Sequence, residues 1–304
     1  MPTCPLCTGE DVVFHARARD IEYKTVDAAF DFYRCVPCGV LFIEPMWHDR
    51  LGVIYPANYY SFVIGRKGVV ASFKESLDRA HFRRALRDVP GEDLSALDVG
   101  GGTGWLLDLV KRADKRVTRT TVVDIDSTAR RVAEEAGHRY FLGRIEEYPA
   151  DHPFDVVLML NVIEHVPDPR AVLLRARKAL SSRGRIFLKT PNFESLDASV
   201  FRHRSWAGYH TPRHFVLFNR ESMCRLCAEC GLEVVHFSYT QGAPFWSVST
   251  LDLLHRIGVV DISAHRPAIY HPIMPLLQMM FAAFDFARRP LAKLSQMQFV
   301  LKAA

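Results

Sequence analysis

The stretch Leu94-Ser-Ala-Leu-Asp98-Val99-Gly100-Gly101-Gly102-Thr103-Gly104-Trp105-Leu106-Leu107-Asp108-Leu109-Val110 decides the fold. It reads as a strand, then a turn with four glycines in five positions, then the start of a helix. Glycines there let the backbone approach a ligand at the carboxyl end of the strand, where the helix N-terminus also points. Such a turn binds a nucleotide-like molecule. Twenty residues after Gly104, Thr121-Val-Val-Asp124-Ile125-Asp126 ends a second strand on a carboxylate placed to accept both ribose hydroxyls. A dinucleotide fingerprint would need a glycine at position 105 for close helix-to-strand packing, and Trp105 stands there. Asp98, just before the glycines, can orient the loop or attract a cationic amino group. That suits a zwitterionic, sulfonium-bearing ligand better than a diphosphate, and S-adenosylmethionine fits on charge grounds.

Working outward, Phe154-Asp-Val-Val-Leu-Met-Leu160 is a nearly all-apolar run, as expected of a strand buried on both faces of a parallel sheet. It leads into Asn161-Val-Ile-Glu164-His165-Val-Pro-Asp168-Pro169, where Asp168 and Pro169 read as N-cap and first residue of a helix. Asn161 to Val166 therefore lie over the cofactor crevice. Further strands are read at 184–190, 232–239 and 298–302.

Four of the seven cysteines form two knuckles in the first 38 residues, Cys4-Pro-Leu-Cys7 and Cys35-Val-Pro37-Cys38-Gly39. Two residues between thiolates let each turn place both sulfurs on one tetrahedral ion, so a structural zinc ribbon with Cys4, Cys7, Cys35 and Cys38 as ligands is expected. Four thiolates leave no open position for catalysis. Cys224, Cys227 and Cys230 repeat every third residue, and read as part of an apolar helical stripe that Gly231 stops rather than as a second metal site.

The chain has 304 residues, 49% hydrophobic and 24% charged, with a formal charge of +5. That composition excludes low-complexity disorder and suggests about two domains at ~150 residues each. No basic segment followed by an apolar run opens the sequence, which argues against a secretory signal and for a reducing, cytoplasmic setting. Subtracting four thiolate charges and adding two for a zinc ion brings the +5 to +3. Between Cys4 and Cys38 there are four basic residues against six acidic ones, so the ribbon has no face suited to nucleic acid.

Leu-Asp98-Val-Gly100-Gly-Gly-Thr-Gly104, Val-Val-Asp124-Ile-Asp126, Phe154-Asp-Val-Val-Leu158 and Glu164-His-Val-Pro-Asp-Pro169, in this order and spacing, resemble the class I S-adenosylmethionine-dependent methyltransferases over about residues 94–240. Arg34-Cys-Val-Pro-Cys-Gly39, Ile54-Tyr55 with Tyr59-Tyr60, Thr190-Pro-Asn192 and His214-Phe-Val-Leu-Phe218 are similar to a bacterial subgroup that carries a zinc ribbon before this fold. The resemblance implies an α/β, Rossmann-like seven-stranded methyltransferase sheet, its last two strands at 232–239 and 298–302 an antiparallel pair, with an N-terminal zinc ribbon at 1–45. A helical connector or cap at 46–93 would contribute to the cofactor site, and the methyltransferase domain would fill 94–304, with an apolar helical insertion at about 243–294. It implies S-adenosylmethionine as cofactor, bound through Asp98, Gly100, Gly101, Gly102, Gly104, Asp124 on the ribose, Ile125 on the adenine, Ile145 and Glu146 at the adenine edge, Asn161 and Tyr60. Many relatives put Asp where Arg144 stands, so the adenine amino group would be held otherwise. Some also hold a metal through a Glu-x-x-Glu-His cluster, whose first position is Asn161 here.

Methyl transfer from a sulfonium needs alignment and exclusion of water, and a general base only when the acceptor must lose a proton. His165, above the methyl site, is the first candidate, with His210 and Tyr209 second. The loop 201–214, rich in arginine, histidine and aromatics, is expected as a lid over the acceptor. The run Ile273 to Phe284 is too short to span a membrane, which takes about 20 residues. It reads as a cap or homodimer face, with peripheral membrane contact as another reading. The acceptor class that the subgroup suggests is a small molecule or a nucleotide- or lipid-linked sugar. An RNA methyltransferase and a non-catalytic partner-binding module are the competing readings.

Overall fold

The computed structural model describes residues 2–56, 59, 75, 79–80, 82–149, 152–203 and 205–304. Strands β1 (Val12–Arg19), β2 (Ala29–Cys35) and β3 (Leu41–Glu44) form an antiparallel meander, followed by one turn of helix, α1 (Leu51–Ile54). The glycine motif then joins β4 (Leu94–Val99) to α2 (Trp105–Ala113), as the apolar strand and the periodic apolar positions of the helix require. The alternation continues with β5 (Val117–Asp124), α3 (Arg130–Glu135), β6 (Arg139–Leu142), β7 (Phe154–Leu160), α4 (Pro169–Ala179) and β8 (Leu180–Pro191). Asp168 caps α4 by accepting from the Ala171 N–H at 3.0 Å. Next come α5 (Leu196–Phe201), the two-residue β9 (Val216–Leu217), α6 (Arg220–Glu229), β10 (Leu232–Thr240), the helices α7 (Ala243–Arg256) and α8 (Met274–Arg288), and β11 (Gln296–Ala303).

The large sheet has the order β10-β11-β8-β7-β4-β5-β6. Strands β4 to β8 pair in parallel, and β11 runs antiparallel to both β8 and β10. The chain winds one way from β4 to β6 and the other way from β7, so the crevice opens at the carboxyl ends of β4 and β7. The seven-stranded α/β sheet and the antiparallel terminal pair agree with the sequence reading. So does the cysteine helix: Cys227 and Cys230 are buried, and Gly231 takes a positive φ beyond α6.

The N-terminal meander is more closely joined to the rest than boundaries at 1–45 suggest. Its sheet, β1-β2-β3-β9, is completed by a strand from the later chain, with Leu41 opposite Leu217. Three short strands leave a face of Phe30, Phe32 and Ile43 that must be covered, and Phe42 is buried on the other face. These side chains enter one buried cluster with Met159, Leu188 and Phe299 of the large sheet.

The insertion is two packed helices in which Trp246 stacks on Phe281 at 5.3 Å. Its inner face buries Val248, Leu251, Ala268 and Leu277 with Ile21 from the tip of the β1–β2 hairpin and Ala207 from the loop after β8. It therefore covers that loop. The outer face of α8 leaves Leu276, Met279, Met280 and Phe286 exposed, and no helix among the described residues is long and apolar enough to cross a membrane.

One ion pair registers the hairpin tip on the core. Arg213 Nη2 donates to Asp20 Oδ2 at 2.9 Å with both side chains fully inaccessible. Asp20 also accepts from the Glu22, Tyr23 and Thr25 N–H groups and from the Thr25 hydroxyl. Burial alone would raise this carboxyl, but the Arg213 charge and these hydrogen bonds hold it at about 2. Arg213→Ala would leave the carboxylate buried and unpaired, and should lower unfolding stability by about 3–5 kcal/mol in urea titrations. Because the folded pKa lies below the unfolded ~3.9, the contribution of Asp20 is complete above about pH 4 and lost as the pH falls toward 2. The urea midpoint should fall over that window, and by less in Asp20→Asn.

Candidate active site and metal centre

The glycine loop closes onto the second strand. The Gly100 N–H donates to the Val123 carbonyl at 2.8 Å, and the Gly102 N–H donates to Asp124 Oδ2 at 2.7 Å. The Asp126 N–H donates to Asp124 Oδ1 at 2.9 Å, so Asp124 is fixed at the end of β5. Gly104, with φ +78°, caps α2, and a Cβ there would stand 2.4 Å from the ring of His138. At Gly102, with φ +51°, a Cβ would meet nothing within 4 Å, so that side of the loop faces open space.

Asp98 is buried beneath the loop, packed so closely on Gly101 that a Cβ there would lie 2.7 Å from its carboxyl carbon. Asp98 Oδ2 has no hydrogen-bond partner among the described residues. Burial, and then the charge of Asp124, pushes the Asp98 carboxyl well up, and burial also raises Asp124 despite its N–H donors. Two carboxyls with no cationic partner among the described residues, beside a glycine loop, fit a ligand carrying an ammonium and a sulfonium. Ile125 is half exposed at the lip, as an adenine platform requires. Ile145 is instead buried in the core, its carbonyl taking a hydrogen bond from Arg175, while Glu146 is exposed. Asn161 adopts φ +58° and donates through Nδ2 to Glu164 Oε1 at 3.1 Å. Tyr60 lies outside the described residues.

Beyond Asn161 three imidazoles gather. The His214 ring centroid lies 4.5 Å from that of His165 and 4.9 Å from that of His210. His165 Nδ1 is 3.0 Å from both the Tyr55 hydroxyl and the Arg213 carbonyl, and burial, followed by the His210 and Arg213 charges, lowers it to about 3. His214 Nδ1 donates to the Gly208 carbonyl at 2.8 Å. His210 Nε2 stands 3.1 Å from the Tyr59 hydroxyl, and its Nδ1 is hydrogen-bonded to Glu22 Oε2. Glu164 is fully buried, its carboxylate met by Asn161 and the Thr190 hydroxyl, and burial raises it to about 7. Glu164, His165 and His214 place ligand atoms within 4.8 Å of one another, yet each is already held by hydrogen bonds of the fold.

The structure brings His165 and His210 together and separates Tyr209 from them. Tyr209 packs 4.4 Å from Phe32 and donates to the Arg202 carbonyl, so its hydroxyl belongs to the ribbon-facing core. The expected acceptor lid is corrected in the same way. Trp206 donates to Asp197, Ser205 to Asp252 and the Ala207 N–H to Ser249, which bolts the loop into the interior. Asp20, Glu22 and Arg213 carry parts of the site that sequence reasoning did not assign. The single hint was a polar run, Asp20-Ile-Glu22-Tyr23-Lys-Thr25, between two apolar strands.

At the opposite end of the hairpin, Cys4, Cys7, Cys35 and Cys38 place their sulfurs within 4.8 Å of one another, with Cys7 and Cys35 Sγ 3.6 Å apart. Thiolates at 2.3 Å from a tetrahedral zinc stand about 3.8 Å apart, so the four fit that ion.

A family model described as a methyltransferase domain matches residues 73–237. The chain belongs to the class I S-adenosylmethionine-dependent methyltransferases. Among curated members of this methyltransferase family, the ubiquinone biosynthesis O-methyltransferase of Idiomarina loihiensis is 38% identical over 101 residues, 32% of this chain and 42% of that one. Its counterpart in Aromatoleum aromaticum is 29% identical over 171 residues, 51% of this chain and 70% of that one. The match thus spans less than half of the first relative. Coclaurine N-methyltransferase bound to N-methylheliamine and SAH superposes with a TM-score of 0.52 at 14% identity, covering 83% of this chain and 80% of that one. The [4+2]-cyclase SpnF superposes with a TM-score of 0.50 at 14% identity, covering 79% and 84%. These likenesses concern the methyltransferase fold alone, which by itself does not select a reaction.

Strain and clash act together at Gly104, so Gly104→Ala should lower unfolding stability by roughly 2 kcal/mol or more. Gly102→Ala meets strain only, about 1 kcal/mol. Denaturant titrations that gave equal losses would contradict the assignment of Gly102 to the open side.

Proposed function

We propose that the protein transfers the methyl group of S-adenosylmethionine to a hydroxyl of a small molecule or of a nucleotide- or lipid-linked sugar in a biosynthetic pathway. The observation that carries this reading is the buried carboxyl of Asp98 with the half-buried one of Asp124, beside a glycine loop in a methyltransferase fold. Oxygen as the acceptor atom is supported by the curated relatives, which are named O-methyltransferases.

The cofactor supplies an electrophilic methyl that leaves a neutral thioether. In this reading Asp124 accepts the two ribose hydroxyls, Ile125 lies on the adenine, and Gly100 and Gly102 let the methionine moiety lie against the main chain. Asp98 orients the loop toward the amino group, and Asn161 contributes at the end of β7. His165 and His210 stand on the acceptor side, where a base takes the hydroxyl proton as oxygen attacks. The four cysteines hold one zinc that closes the ribbon and takes no part in the chemistry.

Asp124→Ala should weaken S-adenosylmethionine about 10- to 100-fold by calorimetry, the loss of two charged hydrogen bonds, with the melting profile preserved. Unchanged affinity would remove the ribose assignment. Metal analysis of the purified protein should return one zinc per chain, and Cys35→Ser should lose both the zinc and the cooperative unfolding of the ribbon; a variant that kept its zinc would refute the four-cysteine site.

A further inference from the structure

Of the three clustered histidines, His210 is the one in hydrogen-bond contact with a carboxylate among the described residues, and that carboxylate comes from the ribbon. The nearest carboxylate oxygen to His214 is Glu164 Oε1 at 4.0 Å, and His165 Nδ1 faces a carbonyl and a phenol. The main chain of Glu22 is held from two sides. Its N–H donates to Asp20 Oδ1 at 3.2 Å, and its carbonyl accepts from the Ala268 N–H of the insertion at 2.9 Å. His210 itself sits at φ +38°, a left-handed conformation that a non-glycine residue keeps only when its surroundings impose it. Its carbonyl accepts from the Arg213 N–H at 2.7 Å, which ties the residue to the partner of Asp20.

We propose that Glu22 is a positioning residue for His210. It keeps the ring proton on Nδ1, so that the Nε2 lone pair receives the acceptor's hydroxyl proton by way of the Tyr59 phenol. An ionised carboxylate only accepts, so a hydrogen bond from Nδ1 to Glu22 leaves Nε2 as an acceptor, and the hydroxyl of Tyr59 at 3.1 Å then donates to it. This rests on the methyl-transfer reading above. In the step, the acceptor O–H bond breaks as its proton moves to Tyr59 Oη and the proton of Tyr59 moves to His210 Nε2. The freed oxygen pair forms the O–CH₃ bond, and the S–CH₃ pair returns to sulfur. Positive charge thus passes from the sulfonium to an imidazolium that faces Glu22, and the proton later leaves to water. The same residues make the ribbon part of the active site, since the carboxylate sits on the hairpin whose far end carries the cysteines.

The test uses the full-length zinc-loaded protein in two measurements. Imidazole ¹⁵N NMR of the complex with S-adenosylhomocysteine should show neutral His210 protonated on Nδ1 in wild type and shifted toward the Nε2–H form in Glu22→Ala. A wild-type ring protonated on Nε2 overturns the proposal, and that measurement decides alone if the variant does not fold. With catechol as a hydroxyl probe and methyl-labelled S-adenosylmethionine, Glu22→Ala should lower kcat about 100-fold with KM for the cofactor within twofold, and Glu22→Asp should recover part of the loss. A kcat within threefold of wild type also overturns it. If wild type binds the cofactor yet methylates no catechol, that counts against the hydroxyl-acceptor reading, and the tautomer measurement still decides the role of Glu22.

Discussion

The buried ion pair between Asp20 and Arg213 is the constraint from which the arrangement of the active centre follows. Taking two charges out of water costs several kcal/mol per ion, and attraction alone seldom offsets it. Here Asp20 collects donors from the N–H groups of Glu22, Tyr23 and Thr25 and from a hydroxyl, while Arg213 lies 4.9 Å above the ring of Tyr23. Those partners exist together only when the hairpin tip meets the loop after β8 in one register. The pair is therefore better understood as a device for specificity than as a source of stability. A slip of the tip by one residue would strand both charges.

That register makes the ribbon a lever with two fixed ends. An eight-residue strand such as β1 spans about 26 Å, so the cysteine cluster and the Glu22 tip are separated by most of the length of the hairpin. Between them the sheet is closed by β9, and its aromatic face merges with the core of the large sheet. The insertion adds a third hold, through Ile21 and the main chain of Glu22. A module that in sequence looks like an appended domain is thus built into the wall of the candidate crevice, and the cysteine cluster and the Glu22–His210 contact lie on one hairpin.

How much of this the sequence discloses depends on the range over which each interaction acts. The glycine loop, Asp124, the Asp168 cap and the cysteine knuckles are legible because each needs particular residue types a few positions apart. The helix carrying Cys224, Cys227 and Cys230 is legible from its period, and the antiparallel pairing of the final strands through the family resemblance. The Arg213 and His210 contacts join residues 193 and 188 positions apart and leave no local pattern at either end. Tyr209 illustrates the converse. Its neighbours in sequence are polar and basic, which suggested a lid, but the hydrophobic face of the ribbon needed covering, and Trp206 and Tyr209 turn inward to cover it. Ile145 follows the same rule, since an isoleucine next to an exposed turn gains more from burial than from lining a wet crevice.

The charge distribution gives the crevice a direction. On the β4–β5 side burial pushes two neighbouring carboxyls up, whereas on the far side His165 and His214 are held neutral by burial. A cationic ligand relieves the first side. Any proton taken from an acceptor must be housed on the second, where a new charge at His165 or His214 would stand in a desolvated setting already occupied by Arg213. Among the described residues, His210 is the one of the three with a carboxylate in hydrogen-bond contact to meet that charge. In the proposed transfer, the positive charge that leaves sulfur would be regained at an imidazole that faces a carboxylate. The new charge would then be met by a fixed partner in the low-dielectric interior, which is the condition that favours a preorganised site over water.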